Sequence, residues 1–237
     1  MKIGIVIPFY LKGDKHNKPL SYSFAYYALL AEREGFTLHL CGSEGKLSQE
    51  FAEPYLSDRV KYIEVPQRQF TISSAGDDYL RKKFNDSLQT LPNDLHWYCL
   101  IGANDMIPDS FFDDLKAYNH EQVALAGVGS SQPLYIVPES GEPFRVKLSY
   151  LVDILPGVNA FSIAAMKKLD WMLYRYKGCE TGAEKLVHEH GAVIQVPGHV
   201  VMLKGKTDLN SVAHIKKRHS SFPLKKEEVQ LVRSYMK

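Results

Sequence analysis

Short apolar runs of strand length alternate with stretches of helical period along most of this chain. Ile3-Gly4-Ile5-Val6-Ile7-Pro8 is a continuous, largely β-branched run, the pattern of a strand buried on both faces. A polar loop from Phe9 to Lys18 follows, too long for a simple turn, and long loops at strand ends are often functional. Phe24, Tyr27, Ala28 and Ala31 then recur on one face of a helix expected from about Ser21 to Glu34, with Gly35 as its stop. Phe36 to Cys41 is a second strand, closed by Gly42-Ser43-Glu44-Gly45. Strand, helix, strand in this order opens a parallel, right-handed α/β sheet.

The pattern continues with a weak helix near Ser48 to Tyr55 and a strand from Val60 to Val65. Leu80, Phe84, Leu88 and Leu91 make a clear helical stripe, with Asp77 and Asp78 near its start, where carboxylates suit the helix dipole. Trp97 to Ile101 is a buried strand that ends abruptly in Gly102-Ala103-Asn104-Asp105, before a short helix carrying Phe111, Phe112, Leu115 and Tyr118. Val123 to Val128 is a further strand. Leu134–Val137 and Phe144–Tyr150, joined by a Pro- and Gly-containing turn, form a hairpin inserted into the α/β order. A loop at Leu155-Pro156-Gly157-Val158-Asn159 precedes a helix from about Ser162 to Tyr174, and Gly178-Cys179-Glu180-Thr181-Gly182 leads into another ending at Gly191. Ala192–Val196 and Val200–Leu203 are short strands, and the chain from His214 onward is basic and helical near its end.

The expected fold class is therefore α/β, a mostly parallel Rossmann-like sheet flanked by helices with a small hairpin insertion. No repeat or low-complexity linker divides the 237 residues, so a single domain is expected, in three stretches: residues 1–129, 130–215 and a basic C-terminal helix over 216–237. In such sheets ligands bind just beyond the carboxyl ends of the strands. A strand that delivers Asn104 and Asp105 to that edge marks a metal or nucleotide site; the alternative is that both residues only turn the chain and cap the next helix.

Composition adds little. With 45% hydrophobic and 24% charged residues the chain is an ordinary globular protein, and a net charge of +2 argues globally for neither a nucleic-acid coat nor an acidic partner. Three cysteines make no disulfide framework and fit a reducing, cytoplasmic setting. Neither a signal peptide nor an apolar run of the roughly 20 residues that span a bilayer is seen.

Several signatures fail. Gly205-Lys206-Thr207 has Val200 where a P-loop needs its first glycine, and no Gly-x-Gly-x-x-Gly follows the first strand. His188 and His190 lack zinc-protease spacing, and no Gly-x-Ser-x-Gly elbow occurs.

What remains is an order of features. The chain resembles the GT-A superfamily of nucleotide-sugar glycosyltransferases, especially its family-2-like members. Ile5-Val6-Ile7-Pro8-Phe9-Tyr10 looks like their opening strand and nucleotide loop, and Lys83-Phe84-Asn85-Asp86-Ser87-Leu88 like their basic-residue and asparagine helix. Leu100 to Pro108 resembles their Asp-x-Asp strand end. Gly157-Val158-Asn159-Ala160-Phe161-Ser162 resembles their acceptor-side loop, and Gly178-Cys179-Glu180-Thr181 the segment bearing their catalytic residue.

The resemblance implies transfer of a sugar from a UDP- or GDP-sugar to an acceptor hydroxyl. It implies Pro8, Phe9, Tyr10, Lys83, Asn85, Asn104, Asp105 and Lys204 around the donor, Gly157 and Asn159 toward the acceptor, and Glu180 as base. It also implies Asp105 on a divalent cation, Mn²⁺ or Mg²⁺. The chain departs from the pattern at Gly102, where an aspartate often stands, at Thr181, which leaves Glu180 as the one carboxylate, and at Lys204, which replaces a histidine. Lys204 or Lys206 can supply cationic charge near a diphosphate in place of metal.

The chemistry also stands on its own. Breaking a bond to a nucleoside diphosphate requires stabilising the charge on the departing group, by an ion or a fixed cation, and Asp105 with Asn104 offers hard oxygen ligands. An acceptor hydroxyl needs a base. Phe9 and Tyr10 are candidates to stack on the nucleobase. The acceptor stays open among glycan, lipid-linked glycan, protein and a modified base in nucleic acid. Two other readings stand beside this one: a nucleotide-binding or nucleotidyltransferase-like α/β protein, and a non-catalytic module with a degenerate acidic motif.

Overall fold

A computed structural model describes residues 1–11, 18–65, 75–149, 154–155, 158–172, 191–205 and 212–236, with the backbone alone for 75–81. Seven strands form the main sheet: β1 (Ile3–Pro8), β2 (Thr37–Gly42), β3 (Val60–Glu64), β4 (Trp97–Ile101), β6 (Val123–Val128), β9 (Val158–Ser162) and β10 (Ala192–Val196). Their spatial order is β10-β6-β9-β4-β1-β2-β3. A second, five-stranded sheet runs β12-β8-β7-β11-β5, from β5 (Asp105–Met106), β7 (Leu134–Pro138), β8 (Phe144–Lys147), β11 (Val200–Lys204) and β12 (Ser220–Pro223).

Strand periodicity sorts side chains between two cores. In β1, Ile3, Ile5 and Ile7 enter one core and Val6 the other. The first core is covered by α1 (Lys18–Glu34), α2 (Lys46–Ala52) and α4 (Ser110–Ala117), through Phe24, Tyr27, Leu30, Ala52, Phe111 and Leu115. The second is covered by α3 (Ala75–Gln89) and α5 (Ile163–Lys168), through Leu88, Ala165 and Met166. Gly35, at φ 73°, ends α1 in the left-handed conformation a side chain resists, and Phe36 N donates to Ala31 O at 3.0 Å.

The main sheet is mostly parallel, as expected, but not strictly so: four of its six pairings are parallel. β9 lies between β4 and β6 and runs antiparallel to both. Its residues resemble a loop in sequence because Pro156-Gly157 precedes them and Asn159 interrupts the apolar run. The three-dimensional setting gives them a strand's period: Val158 and Ala160 face the first core and Phe161 the second. The helix expected from Ser162 begins with Ser162 as its N-cap, whose hydroxyl accepts from Ala165 N at 3.1 Å, and ends at Lys168 rather than Tyr174.

The expected hairpin is present as β7 and β8. It belongs to the second sheet, in which β11 pairs parallel to β7 and antiparallel to β5. The C-terminal part is not one basic helix. It holds α6 (Val212–Arg218), β12 against β8, and α7 (Lys226–Ser234).

Candidate active site

β1 neighbours β2 on one side and β4 on the other, so the strand order reverses at β1, the point where open α/β sheets leave a crevice for ligands. Pro8 is the last residue of β1, opposite Cys41, and Phe9 N continues the ladder to Cys41 O at 3.0 Å. The expectation that the Phe9 ring faces a nucleobase is corrected here. The ring is 1% exposed and packs edge-on against Phe24, 4.9 Å between centroids, because it continues the inward alternation of Ile5 and Ile7. What Phe9 presents at the rim is its carbonyl oxygen. Tyr10, the next residue, is half-buried.

α3 carries Lys83 and Asn85, both 3% exposed, to this rim. The Lys83 ammonium donates to Phe9 O and, at 2.8 Å, to Ser43 Oγ. Burial pulls its pKa down to about 8, opposed by the negative charge of Glu44 and Glu64. Ser43 donates to Glu44 at 3.0 Å, and the Tyr62 hydroxyl donates to Glu64 at 3.3 Å. Burial and Glu64 push the Tyr62 hydroxyl up to about 12. Sequence reasoning named Lys83 and Asn85 but missed Ser43, Glu44, Tyr62 and Glu64 around the lysine. The one signal for them was the Gly42-Ser43-Glu44-Gly45 loop, which reads as strand closure and gives no sign that a lysine forty residues later reaches into it.

The chain turns after β4, with Asp105 N donating to Gly102 O at 2.9 Å, and Asp105 and Met106 form the short strand β5. Asp105 is 6% exposed. It does not cap the following helix. The N-cap of α4 is Asp109, whose carboxylate makes no cap bond and instead accepts from the Tyr26 hydroxyl at 2.5 Å and from Arg33. The Tyr27 hydroxyl donates to Asp105 O at 3.2 Å, and its pKa is driven up by burial first and by the Asp105 charge second.

β11 fixes the acidic corner from the other side. Leu203 N donates to Asn104 O at 2.8 Å, and Met202 pairs with Asp105. Lys204, the last residue of β11, lines a cavity of about 110 Å³ together with Lys18, Tyr22, Glu139, Leu203 and Met236. Asn159 pairs with Leu100 across β4 and β9 and is 7% exposed. Two clusters therefore form, Phe9 with Lys83 and Asn104–Asp105 with β11, and Asn159 lies beside the strand that leads to the second. Gly157, Glu180 and Lys206 lie outside the described residues. Among the described residues no group of three His, Cys, Asp or Glu stands together as a metal cage. The donor set that remains, the Asp105 carboxylate and the Asn104 amide oxygen, fits an ion that takes its other ligands from a diphosphate and water.

These features define an open α/β fold with a polar rim at the switch point of its sheet. No protein-family model matches the chain, and no curated protein matches it in sequence. Solved structures do. S. aureus TarS in complex with UDP-GlcNAc superimposes at a TM-score of 0.56 with 12% identity, over 100% of this chain and 65% of that one. The mannosyltransferase PcManGT from Pyrobaculum calidifontis, in complex with GDP-Man and Mn²⁺, matches at 0.51 with 14% identity, over 86% of this chain and 56% of that one. The 4-diphosphocytidyl-2C-methyl-D-erythritol synthase from Anaerococcus prevotii matches at 0.51 with 10% identity, over 99% and 98%. The chain thus spans about two thirds or less of the two transferase chains it matches, and it shares its open α/β fold with them and with the synthase. Among the described residues no helix is long and apolar enough to cross a membrane.

Proposed function

We propose that this chain transfers a sugar from a nucleoside diphosphate to an acceptor hydroxyl. The observation that carries the reading is Asp105: a carboxylate 6% exposed, delivered to the carboxyl edge of the sheet and not used to cap α4. The matched transferases support it at the level of fold, since TarS was solved with UDP-GlcNAc and PcManGT with GDP-Man.

In this reading the backbone of Pro8 and Phe9, with Tyr10, Lys83 and Asn85, holds the nucleotide, while Asn104 and Asp105 face the diphosphate. A Mn²⁺ or Mg²⁺ ion, when bound, stabilises the charge on the departing diphosphate. Lys204 adds a fixed cation beside the same corner, where preorganised charge favours the transition state. Gly157 and Asn159 face the acceptor. Glu180 takes the proton from the acceptor hydroxyl as its oxygen bonds to the anomeric carbon and the nucleoside diphosphate leaves with the electrons of the broken bond.

Thermal-shift and calorimetric titration with UDP- and GDP-sugars, with and without Mn²⁺, test the donor, and release of UDP or GDP by slow donor hydrolysis tests the chemistry. We expect one nucleotide sugar to bind, and Asp105→Ala to lower release by about 100-fold or more with its circular dichroism unchanged. Stabilisation by nucleoside triphosphates alone would replace this reading with nucleotidyl transfer. Undetectable binding of either class would mark a non-catalytic module.

A further inference from the structure

The charge of this chain is strongly segregated. Residues 144–149 and 212–228, which hold β8, α6, the edge strand β12 and the first turn of α7, carry Arg145, Lys147, Lys216, Lys217, Arg218, Lys225 and Lys226 against two carboxylates, Glu227 and Glu228, with Glu142 just outside them in the turn before β8. That is a net +5 within a chain whose total is +2, so the remainder carries −3. Register explains the gathering: Lys147 pairs with Ser220 and Arg145 with Phe222, while α6 ends in Lys216-Lys217-Arg218 just before β12 and α7 starts just after it. Arg145 reaches Glu228 at 3.4 Å. The other six are exposed and hold no ion pair among the described residues.

We infer that this face binds the phosphodiester backbone of a nucleic acid, duplex DNA being the form tested. Three consecutive helical residues point about 100° apart, so Lys216, Lys217 and Arg218 fan out and do not converge on one anion. A fan of cations without carboxylate partners among the described residues, Lys216 lying 4.6 Å from the Phe144 ring centroid, is continued nine residues later by Lys225 and Lys226 and matches a repeating charge, and duplex DNA carries one about every 1.7 Å of its axis. A bilayer fits less well. Membrane-seated helices bury a row of large apolar side chains, whereas the large apolar residue exposed here is Phe222, with the Arg145 guanidinium 5.7 Å above its ring. The same five-stranded sheet ends at β5, four strand spacings or about 19 Å away, so a polymer lying across it reaches the Asp105 corner. That this polymer carries the acceptor hydroxyl rests on the proposed transfer reaction; the binding does not.

Fluorescence anisotropy of a labelled 30-bp duplex with the intact chain, from 50 to 200 mM salt and without donor, tests the inference. With about five cations engaged, log affinity should fall against log salt with a slope of roughly −4 to −5. The combined Lys216→Gln, Arg218→Gln, Lys225→Gln, Lys226→Gln variant should bind at least about 10-fold more weakly at 100 mM salt, with a slope shallower by roughly 3 to 4. Its melting temperature and its nucleotide-sugar titration should match wild type, and Lys46→Gln, on α2, should leave DNA binding unchanged. No binding at 50 mM salt, a slope the four substitutions do not change, or capture by anionic vesicles without DNA binding would each overturn it. The donor titration fails or succeeds separately, so loss of one reading is told apart from loss of the other.

Discussion

Lys83 offers a quantitative test of the rim, because its burial makes stability depend on pH in a calculable way. The ammonium is 3% exposed, and its pKa falls from 10.5 to about 8 in the fold. A lysine whose folded pKa is depressed holds fewer protons folded than unfolded between the two values. Stability therefore rises as pH climbs through that window and is lowest, on this account, below pH 8. Integrating one such site from pH 7 to 9.5 gives a gain of about 2 kcal/mol.

Lys83→Met removes the titration. It also removes the Lys83 hydrogen bonds to Phe9 O and Ser43 Oγ, at a cost of about 1–3 kcal/mol that is the same at both pH values. The assay is guanidinium unfolding of wild type and Lys83→Met at pH 7 and 9.5, read by circular dichroism. The stability of wild type minus that of the variant should be about 2 kcal/mol larger at pH 9.5, with the remaining groups cancelling in the difference. A difference that stays flat, or falls with pH, would refute the buried, charged lysine at this rim.

Three further outcomes follow from packing. Phe161→Ala in β9 empties a fully buried aromatic site and should cost about 3–5 kcal/mol in unfolding experiments. Gly42→Ala sets a Cβ 2.6 Å from Ser48 Cβ and 2.7 Å from the Tyr62 ring, neither at the end of a flexible chain. It should cost about 1–3 kcal/mol, seen as a melting temperature lowered by several degrees. Tyr235→Phe removes the 2.8 Å bond to His199 that ties the end of α7 to β11. The expected loss is about 1 kcal/mol, with faster amide exchange confined to α7.

Periodicity alone marked β1, β4, β6 and β10, and helices α1 to α4; which core each helix covers it did not tell. β1, β4 and β6 each bury a run long and uniform enough that local pattern and global position agree, whereas β10 is an edge strand of which only Val196 is buried. The same reading placed Asp105 at the end of β4, since a strand that stops in Gly102-Ala103-Asn104-Asp105 has to meet solvent there. It did not reveal β9, whose Asn159 and preceding Pro-Gly obscure an alternation that exists only between two neighbouring strands. Nor did it reveal β12, four exposed residues held by pairing with β8.

The site divides along the same line. Residue types and their order suggested which side chains gather at the rim. Only the folded chain decided that the Phe9 ring belongs to the core while its carbonyl accepts from Lys83, that Asp109 rather than Asp105 stands at the N-terminus of α4 and binds Tyr26, and that β11 closes on Asn104. The contacts that decide these points, Lys83 to Phe9, Tyr26 to Asp109 and Leu203 to Asn104, join residues 74, 83 and 99 positions apart, and local propensity carries no record of such distances. The basic face has the same origin: its lysines are plain in the sequence, but sheet register is what sets Arg145 and Lys147 beside β12 and turns scattered charges into one surface.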